Sequence, residues 1–148
     1  MSEENPWKTK SVTTAYENPW IKVEHHDVLN PAGNPGIYGT VSFKNRAVGV
    51  VPIADNGDTW LVGQYRFPLQ EYHWEIPMGG APKGESAEDC ALRELREESG
   101  LIAESLTPIG RVHLSNCITD EEGLLFVARG LTEGPSDTEE TEVLTVRR

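Results

Sequence analysis

One stretch of helical periodicity sets what the remainder of this chain can build, because the segments on either side of it alternate like β-structure. Within residues 84–100, Ala87, Cys90, Ala91, Leu92 and Leu95 recur at helical intervals among charged neighbours. The ends of this helix are readable. Ser86 is placed to cap the N-terminus with Asp89 three residues on, and Gly100 sits where a left-handed glycine is expected to stop it. Upstream, Ile21, Val23 and His25 alternate with Lys22, Glu24 and His26, the period of a half-exposed strand, which puts the two adjacent histidines on opposite faces. A breaker-rich turn over 30–36 leads to a returning strand over 37–43, so an N-terminal antiparallel hairpin is expected. Two further strands, 48–53 and 59–65, flank Asn56-Gly57, a hairpin signal. Downstream, 105–112, 124–128 and 143–146 read as strands. Strands around one strong helix predict an α/β (α+β) fold with a mixed sheet.

With 148 residues, no low-complexity tract and no repeat, residues 1–148 are expected to form a single domain. Acidic residues number 24 against 13 basic ones, a net charge of −11, and this excess repels phosphate backbones, so nucleic acid is not an expected partner. No run approaches the roughly 18 apolar residues of a membrane span, and the N-terminus has no apolar signal core. Cys90 and Cys117 form neither a CxxC nor a zinc spacing, so a disulfide framework is not expected and a reducing cytoplasm is.

Glu94, Glu97 and Glu98 stand at i, i+3 and i+4 on the predicted helix and project from one side. Like charges so placed repel by a few tenths of a kcal/mol, roughly. Two readings fit: a solvated acidic face relieved by Arg93 and Arg96, or a site whose repulsion is offset by a divalent cation. Hard oxygen ligands without cysteine or clustered histidine would select Mg²⁺ or Mn²⁺.

The longer stretch over 79–101, GGAPKGESAEDCALRELREESGL, resembles the Nudix box: Gly79, Glu85, Arg93, Glu94, Leu95, Glu97, Glu98, Gly100 and Leu101 fall in its register. The resemblance implies a Nudix fold, a mixed sheet between helices, carrying a metal-binding loop-helix-loop that splits a nucleoside diphosphate linked to another group. It implies Glu94 and Glu98 as principal metal ligands with the backbone carbonyl of Met78, and Glu97 as a further ligand or a holder of the attacking water. Glu85 and Arg93 are implied to organise the box through a carboxylate–guanidinium fork. Gly79, Gly80 and Gly84 suit a loop that approaches the metal closely with unusual φ values.

Before the box, the run QYRFPLQEYHWEIPMGG over 64–80 resembles the ADP-ribose and nucleoside diphosphate sugar pyrophosphatase branch, as does YENPWIKV over 16–23. In that branch the N-terminal strands, here residues 1–45, help to build a homodimer. The likeness implies that Arg66 holds a substrate phosphate and that Trp20, or else Trp7, stacks on the base, while Trp60 and Trp74 are expected in the core. The acidic loop over 120–122 implies a substrate contact at Glu121. Asn116 and Cys117 stand where ADP-ribose pyrophosphatases commonly have Pro-Gly, a departure that leaves the nucleoside diphosphate sugar branch in place and counts against ADP-ribose itself. The catalytic base is implied in the acidic loop over 136–142, with Glu140 favoured over Glu139 and Glu142. Relatives continue with a C-terminal helix, and the expectation for a chain stopping at Arg148 is that this helix is missing. Alternatives of substrate, a dinucleotide cofactor or a dinucleoside polyphosphate, stay open, as does a nucleotide-binding module that does not hydrolyse.

Overall fold

The computed structural model describes residues 4–135 and 143–148. Two compact units are distinguished, Met1–Asn45 with His113–Glu121, and Arg46–Val112 with Glu122–Arg148.

The first unit is a three-stranded antiparallel sheet in the order β1 (Lys8–Glu17), β2 (Ile21–Leu29), β3 (Pro35–Phe43). The expected β2–β3 hairpin pairs in continuous register from Ile21↔Phe43 to Leu29↔Pro35, and its turn is tied by the Asn30 side chain, which accepts from the backbone N–H of Ala32 and Asn34. β1 adds a third strand, with register shifts at Thr9/Ser11 and Thr14/Tyr16. All of its residues are exposed, so it carries no alternation for a sequence reading to detect. His25 and His26 do face opposite ways: one approaches Asp27, the other Thr40.

The second unit holds a mixed sheet, β7 (Met78–Ala81), β4 (Arg46–Pro52), β9 (Glu122–Glu133), β8 (Leu101–His113), and a smaller sheet, β10 (Thr145–Arg147), β5 (Leu61–Arg66), β6 (Glu71–Glu75). β4 runs antiparallel to β7 and parallel to β9, which bears out the expectation of mixed strand directions. The Asn56-Gly57 turn closes, with Gly57 at φ +88°. Only the single bridge Ile53↔Thr59 follows it, however, and β4 and β5 then part into different sheets. The reason lies in β4, both of whose edges are taken by β7 and β9.

The helix is α1 (Ala87–Ser99). Ser86 accepts the Asp89 N–H at 3.0 Å, and Gly100 adopts φ +70°, the caps expected from the sequence. Ala87, Cys90, Ala91 and Leu95 form its buried stripe against Val48 and Val50 of β4, Phe126 and Ala128 of β9, Ala81 and Leu101. α1 is the one helix among the described residues, which carry no helix long and apolar enough to cross a membrane.

Candidate functional site

Glu98 lies on the core-facing stripe of α1, three residues after Leu95, so the helix drives a carboxylate into the interior. It is 2% exposed, the one charged side chain among the described residues that is buried. Burying a carboxylate is costly unless its oxygens are satisfied. Glu98 accepts the backbone N–H of Met78 at 2.9 Å, which fixes the helix to the first residue of β7.

Glu94 sits one turn earlier at the edge of the stripe, against the next residue of β7. A Cβ built on Gly79 would overlap the Glu94 carboxylate, so glycine is required there by close approach. Gly79 and Gly80 belong to β7 and are absent from the positive-φ residues, whereas Gly84 has φ +102°. The expectation of a glycine loop with unusual φ therefore holds at Gly84 and is corrected at Gly79 and Gly80; at Gly79 the missing side chain is what matters.

Arg93 joins these parts. Its Nε and Nη2 donate to the two oxygens of Glu85, each at 2.9 Å, the fork implied by the resemblance. Its Nη1 donates to Glu94 at 2.8 Å and to Glu97 at 2.9 Å. Nη2 also reaches the Gly80 carbonyl at 3.4 Å and the Cys90 sulfur at 3.5 Å. The Arg93 hydrogen bonds hold the Glu85 carboxyl below the usual carboxylate range, against a smaller opposing effect of burial. Hydrogen bonding to Glu85, reinforced by Glu97 and Glu94, in turn raises Arg93 further above its ordinary value. Burial first, and the Glu94 charge second, push the Cys90 thiol up to about 12.

The Glu94, Glu97 and Glu98 carboxylates and the Met78 carbonyl make an all-oxygen donor set, half-buried or buried, and the cradle at Gly79 brings Glu94 onto the strand that carries Met78. This chemistry fits a hard divalent cation. As the side chains stand, no three His, Cys, Asp or Glu groups among the described residues converge on one point. Glu94 and Glu97 are instead drawn to Arg93.

Arg66, at the end of β5, forms a fork with Glu75 of β6, Nε lying 2.9 and 3.1 Å from its two oxygens. Nothing in the sequence reading singled out Glu75, although it lies in the WEIP run, because β6 was not expected as a strand. Trp60 packs on the core, and Trp74 is half-buried, edge-on to Tyr72 with the Arg147 guanidinium 3.9 Å above its ring. Trp20 and Glu121 belong to the other unit: Trp20 is 68% exposed in the β1–β2 turn, and Trp7 packs edge-on against Tyr38. Glu139, Glu140 and Glu142 lie outside the described residues. A concavity of about 540 Å³ elsewhere in the second unit is lined by Trp60, Glu104, Leu131 and Arg148, among others, and by none of the box carboxylates.

A family model described as the NUDIX domain matches residues 43–147, and one described as the nucleoside diphosphate sugar hydrolase N-terminal domain matches residues 7–41. Among curated relatives, the ADP-ribose pyrophosphatase of Bacillus subtilis is 39% identical over 102 residues, covering 68% of this chain and 55% of that protein. The methanol dehydrogenase activator of Bacillus methanolicus is 34% identical over 133 residues, 90% of this chain and 70% of that protein. The chain thus spans only about half the length of the first. A solved structure, an ADP compounds hydrolase, superposes with a TM-score of 0.87 at 24% identity, over 99% of this chain and 80% of that one; the likeness is one of fold.

Proposed function

The chain belongs to the Nudix family, and on that premise we propose that it is a metal-dependent pyrophosphohydrolase that splits the diphosphate of ADP-ribose and related nucleoside diphosphate sugars into a nucleoside monophosphate and a sugar phosphate. The observation that carries this reading is the seating of Glu94 against Gly79 and of buried Glu98 on Met78. The substrate class is supported by the N-terminal family match and by the relative named ADP-ribose pyrophosphatase.

Hydrolysis requires water to attack a phosphorus ringed by anionic oxygens. Glu94, Glu98 and the Met78 carbonyl would hold Mg²⁺ or Mn²⁺, which when bound would neutralise those oxygens and make water easier to deprotonate. The protein's own contribution is placement. Glu98 has little orientational freedom, because its carboxylate is buried and tied to Met78. Glu97, less enclosed, orients the attacking water or adds a ligand, and Arg93 fixes helix against loop through Glu85. Arg66 takes a substrate phosphate with its guanidinium, aimed by Glu75. Glu140 removes the proton from water, Trp20 stacks on the base, and Glu121 contacts the substrate.

The same proposal includes a cytoplasmic homodimer that takes a small nucleotide sugar and neither nucleic acid nor membrane as partner. Its support is the first unit: Val28 is the one buried apolar residue there among those described, while Tyr16, Ile37 and Phe43 are exposed. Three strands with so little interior of their own need cover. A second reading is a Nudix hydrolase of another substrate class, such as a dinucleotide cofactor or dinucleoside polyphosphate; the relative named methanol dehydrogenase activator, whose name specifies no diphosphate sugar, keeps it open.

A phosphate-release panel with ADP-ribose, GDP-mannose, NADH and diadenosine polyphosphates, run with Mg²⁺, separates the two. Turnover of the diphosphate sugars is expected; turnover of only another class overturns the substrate assignment.

A further inference from the structure

Resting on the reading that Glu94 and Glu98 take up the cation, we propose that Arg93 is a built-in competitor for that cation, weakening metal binding while holding the box together. A single nitrogen, Nη1, lies 2.8 Å from Glu94 and 2.9 Å from Glu97, between two carboxylates that would otherwise repel at one-turn spacing. The other donors are committed elsewhere: Nε and Nη2 to Glu85, with the Gly80 carbonyl and the Cys90 sulfur beside Nη2. The guanidinium therefore has a fixed side, facing loop and helix, and an exchangeable side, facing the carboxylates that serve as ligands.

Two physical effects follow. The Glu94 oxygen that accepts from Nη1 has less electron density to offer a cation, so a cation drawing on that oxygen competes with the hydrogen bond. The guanidinium also stays in place through Glu85, leaving a positive charge next to a divalent one in a half-buried site where screening is weak. In return, α1 tolerates its carboxylate cluster without depending on a cation for neutralisation. Metal affinity in this chain is the outcome of that competition. An Arg93 that acted only as an organiser would have the opposite signature, since its removal would disorder the ligands and weaken binding.

The test is Mn²⁺ binding to the whole chain, followed by the electron paramagnetic resonance signal of the free ion, for wild type, Arg93→Gln and Arg93→Lys. The Gln variant, which loses the charge, is expected to bind Mn²⁺ about tenfold more tightly. Its melting temperature is expected to rise more on adding Mn²⁺ than that of wild type. The Lys variant keeps the charge, loses the fork and is expected within about twofold of wild type. Equal or weaker binding by the Gln variant overturns the proposal. Should that variant fail to fold, the Lys variant decides: wild-type affinity supports competition by charge, and clearly weaker binding overturns it. Failure of wild type to bind Mn²⁺ at all would strike the metal reading itself, a result distinct from a change of order among the variants.

Discussion

The carboxylate of Glu94 fills the space in which a side chain at Gly79 would begin. A strand residue and a helix residue fifteen positions apart are thereby in direct contact, and the contact depends on a missing methyl group. Gly79→Ala should displace Glu94, cost about 1–3 kcal/mol of stability by overpacking, and reduce turnover by much more than the stability loss explains. Gly110→Ala, where an added Cβ meets open space, should change neither. Thermal melts and initial rates on the two variants check this.

The Glu85–Arg93 fork predicts an acid dependence with a definite sign. The folded-state pKa of Glu85 lies below its unfolded value, so the pair contributes stability above the ordinary carboxylate pKa and loses it as pH falls through the folded one. Glu85→Gln should therefore be less stable than wild type near pH 7, and the gap between the two melting temperatures should close below about pH 4.5. A constant gap down to pH 3 would show that the Glu85–Arg93 fork does not contribute to stability.

The two thiols should behave differently. Cys90 is fully buried with its pKa pushed up to about 12, whereas Cys117 is exposed. An aromatic disulfide reagent at pH 8 should modify one thiol rapidly in the native protein and both after denaturation. Rapid modification of both in the native protein would contradict the packing of α1.

Light scattering should give twice the 16.4 kDa chain mass. A monomer at micromolar concentration would contradict the homodimer proposed from the exposed face of the first unit.

What could be read from the sequence was what local chemistry decides. The caps Ser86 and Gly100, the buried stripe of α1 and the β2–β3 register all follow from spacing and turn residues. β1, β6 and β7 did not. β1 is exposed throughout, β6 reads EYHWE, in which only Tyr72 and Trp74 alternate with polar residues over five positions, too short a run to stand out, and β7 is MGGA, a strand made by its pairing with β4 and carrying little propensity of its own. The β4–β5 expectation failed because a turn signal fixes the reversal but not which strands pair afterwards. Within the site, Glu94, Glu97, Glu98, Glu85 and Arg93 were identified by the box. The reach of Arg93 to Glu94 and Cys90, the partnership of Arg66 with Glu75 and the contact of Gly79 with Glu94 depend on tertiary placement that spacing does not encode.

In the proposed reaction the carboxylates anchored to β7 serve metal-dependent cleavage of a diphosphate. Its most direct test is to follow ADP-ribose with saturating Mg²⁺ by chromatography of the products, comparing wild type with Glu98→Gln. AMP and ribose 5-phosphate are expected from wild type, no product when a chelator replaces Mg²⁺, and a rate at least about a hundredfold lower for the folded variant. Metal-independent product formation, or a wild-type rate in Glu98→Gln, would contradict it.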